Sequence, residues 1–166
     1  MTDLQPQPLW EVTTTHADQT EALGRCLGGE CVGGELILLD GPLGAGKTCL
    51  AGGFARGLGI EQPTVSPTFM LMRSYHGSRG LTLHHLDFYR LGGPGDVATI
   101  GLEDCFSDRS VILVEWPGRC PEAFADFTLA LRIEITGPDE RRIQALPGGL
   151  PLAEGFRTSP RQAPHA

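Results

Sequence analysis

A strand, a glycine-rich turn and a helix follow one another without a break between residues 35 and 58, and that succession limits what the rest of the chain can become. Residues 35–40 are a near-continuous apolar run of strand length, the pattern of a strand buried on both faces of a sheet. Residues 47–58 read as a helix that Gly59 stops. Its interior Gly52-Gly53 costs about 1 kcal/mol per glycine relative to alanine, which points to close packing or mobility there. Between strand and helix lies Gly41-Pro42-Leu43-Gly44-Ala45-Gly46-Lys47-Thr48, a complete G-x-x-x-x-G-K-[ST]. Small residues let successive main-chain amides converge on phosphate oxygens, and the helix N-terminus adds partial positive charge. A glycine-rich turn that merely caps a helix is the bland alternative, and the flanking strand and helix disfavour it. The expected nucleotide-binding set is Gly41, Leu43, Gly44, Ala45, Gly46, Lys47, Thr48 and Cys49. Lys47 would reach the β- and γ-phosphates, and the Thr48 hydroxyl would join waters and phosphate oxygens around Mg²⁺.

Lys47 is the only lysine; every other cationic side chain is arginine. A compact ammonium is kept at the one place where a planar guanidinium is a poor substitute. Asparagine is absent altogether, so the Asn-Lys-x-Asp signature of GTP sites cannot occur, and ATP is the expected purine nucleotide.

Around this unit, residues 9–13 read as a first strand and 16–31 as a helix, with Leu23 and Leu27 at helical spacing, Thr15 as N-cap and Gly33-Gly34 as the stop. Strands are expected at 68–75 and 81–88, joined by the turn 76–80, and at 111–114, with a short helical piece near 96–106 between. Residues 126–136 alternate, and 141–146 would be their hairpin partner. Strand–loop–helix early and antiparallel pairs late predict an α/β chain: a P-loop NTPase three-layer fold with a mixed, mostly parallel central sheet. Residues 1–146 form one expected domain, and 147–166, rich in Pro, Gly and polar residues, an expected disordered tail.

Composition narrows the function classes. A length of 166 residues suffices for one core without disulfides or structural metal. Five cysteines (Cys26, Cys31, Cys49, Cys105, Cys120) without a C-x-x-C pair read as reduced thiols of a cytoplasmic protein. Residues 1–8 lack a signal-peptide pattern, and no apolar run could span a bilayer. A net charge of −7 opposes free-standing nucleic-acid binding.

Glu115 ends the apolar run 111–114, which would aim its carboxylate at the ligand-binding edge of a parallel sheet, the place of a Walker B acid on Mg²⁺ or its water. In Leu83-His84-His85-Leu86-Asp87, His85 and Asp87 share one strand face and His84 the other, so the two histidines cannot grip one metal. Asp87 is then a candidate beside the metal or the attacking water, with His85 as its partner; a hydrogen-bonded pair that supports a turn is the equal alternative. Ser66-Pro67-Thr68 is a candidate γ-phosphate sensor.

The ordered set Gly41–Thr48, Ser66-Pro67-Thr68-Phe69, His85-x-Asp87-x-Tyr89-Arg90-Leu91, Gly101-Leu102-Glu103-Asp104 and Val114-Glu115-Trp116-Pro117 resembles the bacterial TsaE (YjeE) ATPases of tRNA threonylcarbamoyladenosine formation, over about residues 13–136. The resemblance implies slow, partner-stimulated ATP hydrolysis with Mg²⁺, which resets a complex of the TsaD ligase subunit and its paralogue TsaB. It implies that tRNA is met through that complex. It assigns phosphate and Mg²⁺ to Lys47 and Thr48, metal and water to Glu115 and Asp87, a place beside the site to Trp116, and an approach to adenine near Ala17. Two positions depart from the pattern: Gly52 where relatives often carry a basic residue, and Pro42 where many have an acid. A small-molecule P-loop kinase is the alternative; it would need lid arginines such as Arg73, Arg79 or Arg90. An RNA-binding module is opposed by the acidic balance and the 7% aromatic content.

Overall fold

The computed structural model describes residues 6–65, 67 and 70–158; Ser66 and Thr68 of the candidate sensor lie outside them. The chain order is β1 (Trp10–Thr14), α1 (Ala17–Glu30), β2 (Leu36–Asp40), α2 (Lys47–Gly57), β3 (Met72–His76), β4 (Thr82–Asp87), α3 (Pro94–Ile100), β5 (Ser110–Glu115), β6 (Leu129–Ile135) and β7 (Arg141–Pro147). Short 3-10 turns occupy Leu102–Cys105, Pro117–Arg119, Pro121–Phe124 and Glu154–Arg157.

The strands form one sheet in the order β1-β7-β6-β2-β5-β4-β3. Strand β2, apolar along its length, runs parallel to β5 on one side and β6 on the other, and β4 continues the parallel block. The alternating segments lie outside it, as half-buried antiparallel strands do: β3 against β4, β7 against β6, and β1 against β7. Five strands thus share one direction and β3 and β7 oppose them, in keeping with the expected mixed sheet.

Helices cover both faces, making three layers. On one face α1 and α2 pack over Ile37, Leu39, Leu113, Leu131 and Ile143. On the other, α3 and the first three 3-10 turns cover Leu36, Leu38, Leu86, Ile112 and Val114. The α1–α2 contact explains the glycines inside α2: a methyl group on Gly53 would strike the Glu21 carbonyl, and one on Gly28 the Phe54 carbonyl. The helices meet backbone to backbone, and the Arg56–Glu21 ion pair bridges them at the surface. Gly52 has no such contact: a methyl group there would come no closer than 3.9 Å to Thr64 Oγ1.

Two expectations are corrected. Thr15 is not the N-cap of α1: His16 holds that position without a side-chain cap bond. Gln19 reaches back past the cap, its Oε1 accepting at 2.7 Å from the Thr15 N–H, which lies outside the helix. The expected tail also does not begin at Pro147. Residues 147–158 follow the sheet, Gly148 N–H donating to Thr128 O at 3.1 Å, and Phe156 is fully buried against the α1 side of the core. The Trp10 indole N–H donates to the Phe156 carbonyl at 3.0 Å. One large aromatic outweighs the surrounding Pro and Gly, because burying it is worth about 1.5–3 kcal/mol. No helix among the described residues is long and apolar enough to cross a membrane.

Candidate functional site

The parallel strands β2, β4 and β5 end on the same edge of the sheet, so Asp40, Asp87 and Glu115 arrive there together. Asp87 and Glu115 are register partners on adjacent strands, which places two carboxylates side by side by strand pairing alone. The glycine-rich turn leaves β2 at that edge. Gly41 packs against β6, where a Cβ would lie 2.7 Å from the Ile133 carbonyl. Gly44 and Gly46 take φ of 79° and 100°, conformations that a side chain resists. Gly46 caps α2 with no side-chain hydrogen bond, so the first amides of that helix are not consumed by a cap.

A cleft of about 490 Å³ opens here, lined by the turn together with Asp87, Tyr89, Arg90, Glu115 and Trp116. Among the expected site residues Leu43, Gly44, Gly46, Lys47, Thr48, Cys49, Asp87, Glu115 and Trp116 line it. Ala17 and Ala45 instead line a second cleft of about 110 Å³, which shares Gly46 and Cys49 with the first and adds His16, Thr20, Asp139 and Arg141. Gly41 lines neither cleft and forms the base of the turn. Leu43 projects outward, 70% exposed.

Lys47 is buried, and its ammonium donates to Gly41 O at 2.7 Å and Pro42 O at 2.9 Å. It also lies 4.0 Å from the centroid of the Trp116 ring. Burial pulls the Lys47 pKa below its ordinary 10.5, while Glu115, Asp40 and Asp87, in that order, push it back up. Trp116 reaches this place through local strain: its N–H donates to Leu39 O at 3.3 Å, and its φ of 58°, rare for a large side chain, carries the indole over the turn. Tyr89 packs on the same indole, with ring centroids 5.0 Å apart.

His85 behaves differently from its expected pairing with Asp87. Its Nε2 lies 2.9 Å from Glu115 Oε1, both side chains being buried, while Asp87 Oδ1 accepts the Tyr89 N–H at 2.9 Å. Two strand residues on one face point the same way, but the nearer acceptor for His85 is on β5, across the parallel ladder, a neighbour that spacing along β4 cannot reveal. His84 does face the opposite side, bonding Ser74 Oγ at 2.8 Å, with its pKa lowered by burial and then by His76.

The donor set suits a hard cation: a Thr48 hydroxyl and the Asp87 and Glu115 carboxylates border one cleft beside the first amides of α2, and oxygen donors with room for water are what Mg²⁺ prefers. Among the described residues no cluster of three His, Cys, Asp or Glu side chains could hold a metal. Sequence reasoning missed Arg141 and Asp139, which a hairpin brings to the turn from the far end of the chain, and no local motif announces them.

A P-loop turn between a buried parallel strand and its helix, with strand-end carboxylates opposite, defines a protein of the P-loop NTPase class. The particular family follows from likeness to known proteins. The family model described as "Threonylcarbamoyl adenosine biosynthesis protein TsaE" matches residues 14–143. The TsaE protein of Treponema pallidum (strain Nichols) is 36% identical over 127 residues, 76% of this chain and 93% of that one. The TsaE of Nostoc sp. (strain PCC 7120) is 43% identical over 132 residues, 77% and 78% of the two chains. The crystal structure of YdiB from Bacillus subtilis superposes with a TM-score of 0.72 at 30% identity, covering 87% of this chain and 88% of that one. The chain belongs to the TsaE family.

Proposed function

We propose that this chain is a Mg²⁺-dependent ATPase of tRNA threonylcarbamoyladenosine biosynthesis, acting in the cytoplasm, whose hydrolysis resets a TsaB–TsaD complex that itself carries the tRNA. The observation that supports it most is the meeting of Lys47, Thr48, Asp87 and Glu115 around one cleft at the carboxyl edge of the sheet.

In this reading the amides from Gly44 to Cys49 and the Lys47 ammonium bind the phosphates. Lys47 exchanges its bonds to the Gly41 and Pro42 carbonyls for phosphate oxygens. Thr48, Glu115 and Asp87 would hold Mg²⁺, which would supply positive charge to the phosphates. Glu115, oriented by His85, directs a water towards the terminal phosphate. Trp116 and Tyr89 wall the cleft beside Lys47, and Ala17 borders the smaller cleft where the adenine would lie. A metabolite kinase draws less support, because Arg79 is committed to the carbonyls of Gly28, Gly57 and Cys31 at the ends of α1 and α2 and is no lid residue.

The test is ATP turnover and co-purification with TsaB and TsaD, with Mg²⁺ present. Turnover is expected to be slow alone and to rise with the partners. Turnover indifferent to the partners, or rapid phosphorylation of a small metabolite without them, would sink the proposal.

A further inference from the structure

Arg141 opens β7, directly after the turn that joins it to β6. Its guanidinium donates to five main-chain carbonyls. Nε reaches Ala45 O at 3.1 Å and Nη2 reaches Gly44 O at 3.2 Å, both in the phosphate-binding turn. Nη1 is shared among Gly137 O at 3.1 Å, Pro138 O at 3.4 Å and Glu140 O at 2.9 Å, all in the hairpin turn. One half-buried side chain therefore ties two turns that are remote in sequence.

The tie matters because the phosphate-binding turn has little else to hold its middle. Gly44 and Gly46 contribute no side chains; Ala45 N–H donates to Pro42 O at 3.1 Å, and the Lys47 ammonium holds the Gly41 and Pro42 carbonyls at the base of the turn, not its middle. In a trans peptide the carbonyl and the following N–H point opposite ways. Anchoring the Gly44 and Ala45 carbonyls on Arg141 therefore keeps the Ala45 N–H on Pro42 O and fixes the direction of the Gly46 N–H, and amide direction is what a phosphate cradle depends on. A rigid planar fork can serve carbonyls on two turns at once; a lysine ammonium is a single point and cannot span them.

We propose that Arg141 is a positioning residue for phosphate: it sets the peptide planes at Gly44–Ala45–Gly46 and couples them to the hairpin turn at 137–140. This rests on the nucleotide reading of the turn.

The experiment is displacement of a fluorescent ATP analogue, with Mg²⁺, by ATP and separately by tripolyphosphate, which has neither base nor ribose. Wild type is compared with Arg141→Ala, Arg141→Lys and Arg142→Ala, the last removing a neighbouring arginine that pairs with Glu134 instead. Both Arg141 variants are expected to lose about tenfold in affinity, by the same factor for ATP and for tripolyphosphate, as the loss of two hydrogen bonds to a preorganised turn implies. Arg142→Ala is expected to bind as wild type does. A folded Arg141→Ala with unchanged affinity and only a lower Tm would make the tie purely structural and overturn the inference. So would a loss confined to ATP, which would mean contact with base or ribose. If Arg141→Ala fails to fold, Arg141→Lys decides by the same criterion. Wild type that binds neither ligand overturns the nucleotide reading and this inference together, whereas the other two adverse results leave that reading standing.

Discussion

The two faces of the sheet are covered in opposite ways. On one, α1 and α2 touch backbone to backbone through Gly24, Gly28, Gly53 and Gly57, over a core whose Phe54, Leu50 and Leu58 are fully buried. On the other, the seven-residue α3 and three 3-10 turns leave Val97, Ile100 and Leu102 only partly buried and Phe106 47% exposed. The site lies on the seam. Its glycine-rich turn runs into the tightly packed layer through α2, while the segments after Asp87 and Glu115 run into the lighter one. Groups that must hold fixed amide directions are thus rooted where movement is costly. Asp87 and Glu115, which the proposed function gives to metal and water, lead into segments that are cheaper to shift.

The largest expected effect separates binding from chemistry. Lys47→Ala removes a charge-assisted donor from the tightly packed side and should weaken MgATP binding about 100-fold or more by calorimetry. Retained affinity would mean that the rigid half is not the binding half. Glu115→Ala acts on the other side of the seam: MgATP affinity should stay near wild type while turnover falls about 100-fold or more. Equal hydrolysis by wild type and Glu115→Ala would remove Glu115 from the chemistry.

A smaller effect probes the layers themselves. Gly53→Ala forces a methyl onto the Glu21 carbonyl and should cost about 1–3 kcal/mol, lowering Tm by about 2–4 °C per kcal/mol. Gly95→Ala, in α3, meets nothing within 4 Å and should leave Tm unchanged or slightly raised. Similar losses at both positions would erase the contrast between the faces.

The smallest effect concerns protons. Burial holds the Lys47 pKa below 10.5, so between its folded value and 10.5 the unfolded chain binds more protons and folding stability rises with pH. A bound triphosphate brings negative charge to Lys47 and raises its pKa again. Nucleotide binding in that window should therefore take up protons and weaken as pH rises, measured by calorimetry in buffers of different ionisation enthalpy. Proton release, or none, would place Lys47 away from the phosphates.

The sequence by itself determined the features that rest on near neighbours. The buried strand, the glycine turn, Lys47 and Thr48 at the start of α2 and Glu115 at a strand end were all legible, because backbone conformation and strand alternation are local properties. The mixed sheet followed from the contrast between unbroken and alternating apolar runs. Even locally, the cap of α1 falls on His16 rather than Thr15, and Gln19 bonds the Thr15 N–H just outside the helix, a choice between neighbouring residues that cap preference alone does not make. What tertiary structure alone decided are partnerships across the sheet or along the whole chain: His85 with Glu115 rather than Asp87, Phe156 drawn into the core against Trp10, and Arg141 on the carbonyls of Gly44 and Ala45. Such contacts depend on strand order and on which surface remains to be covered, and neither is written in the spacing of residues along one strand or helix.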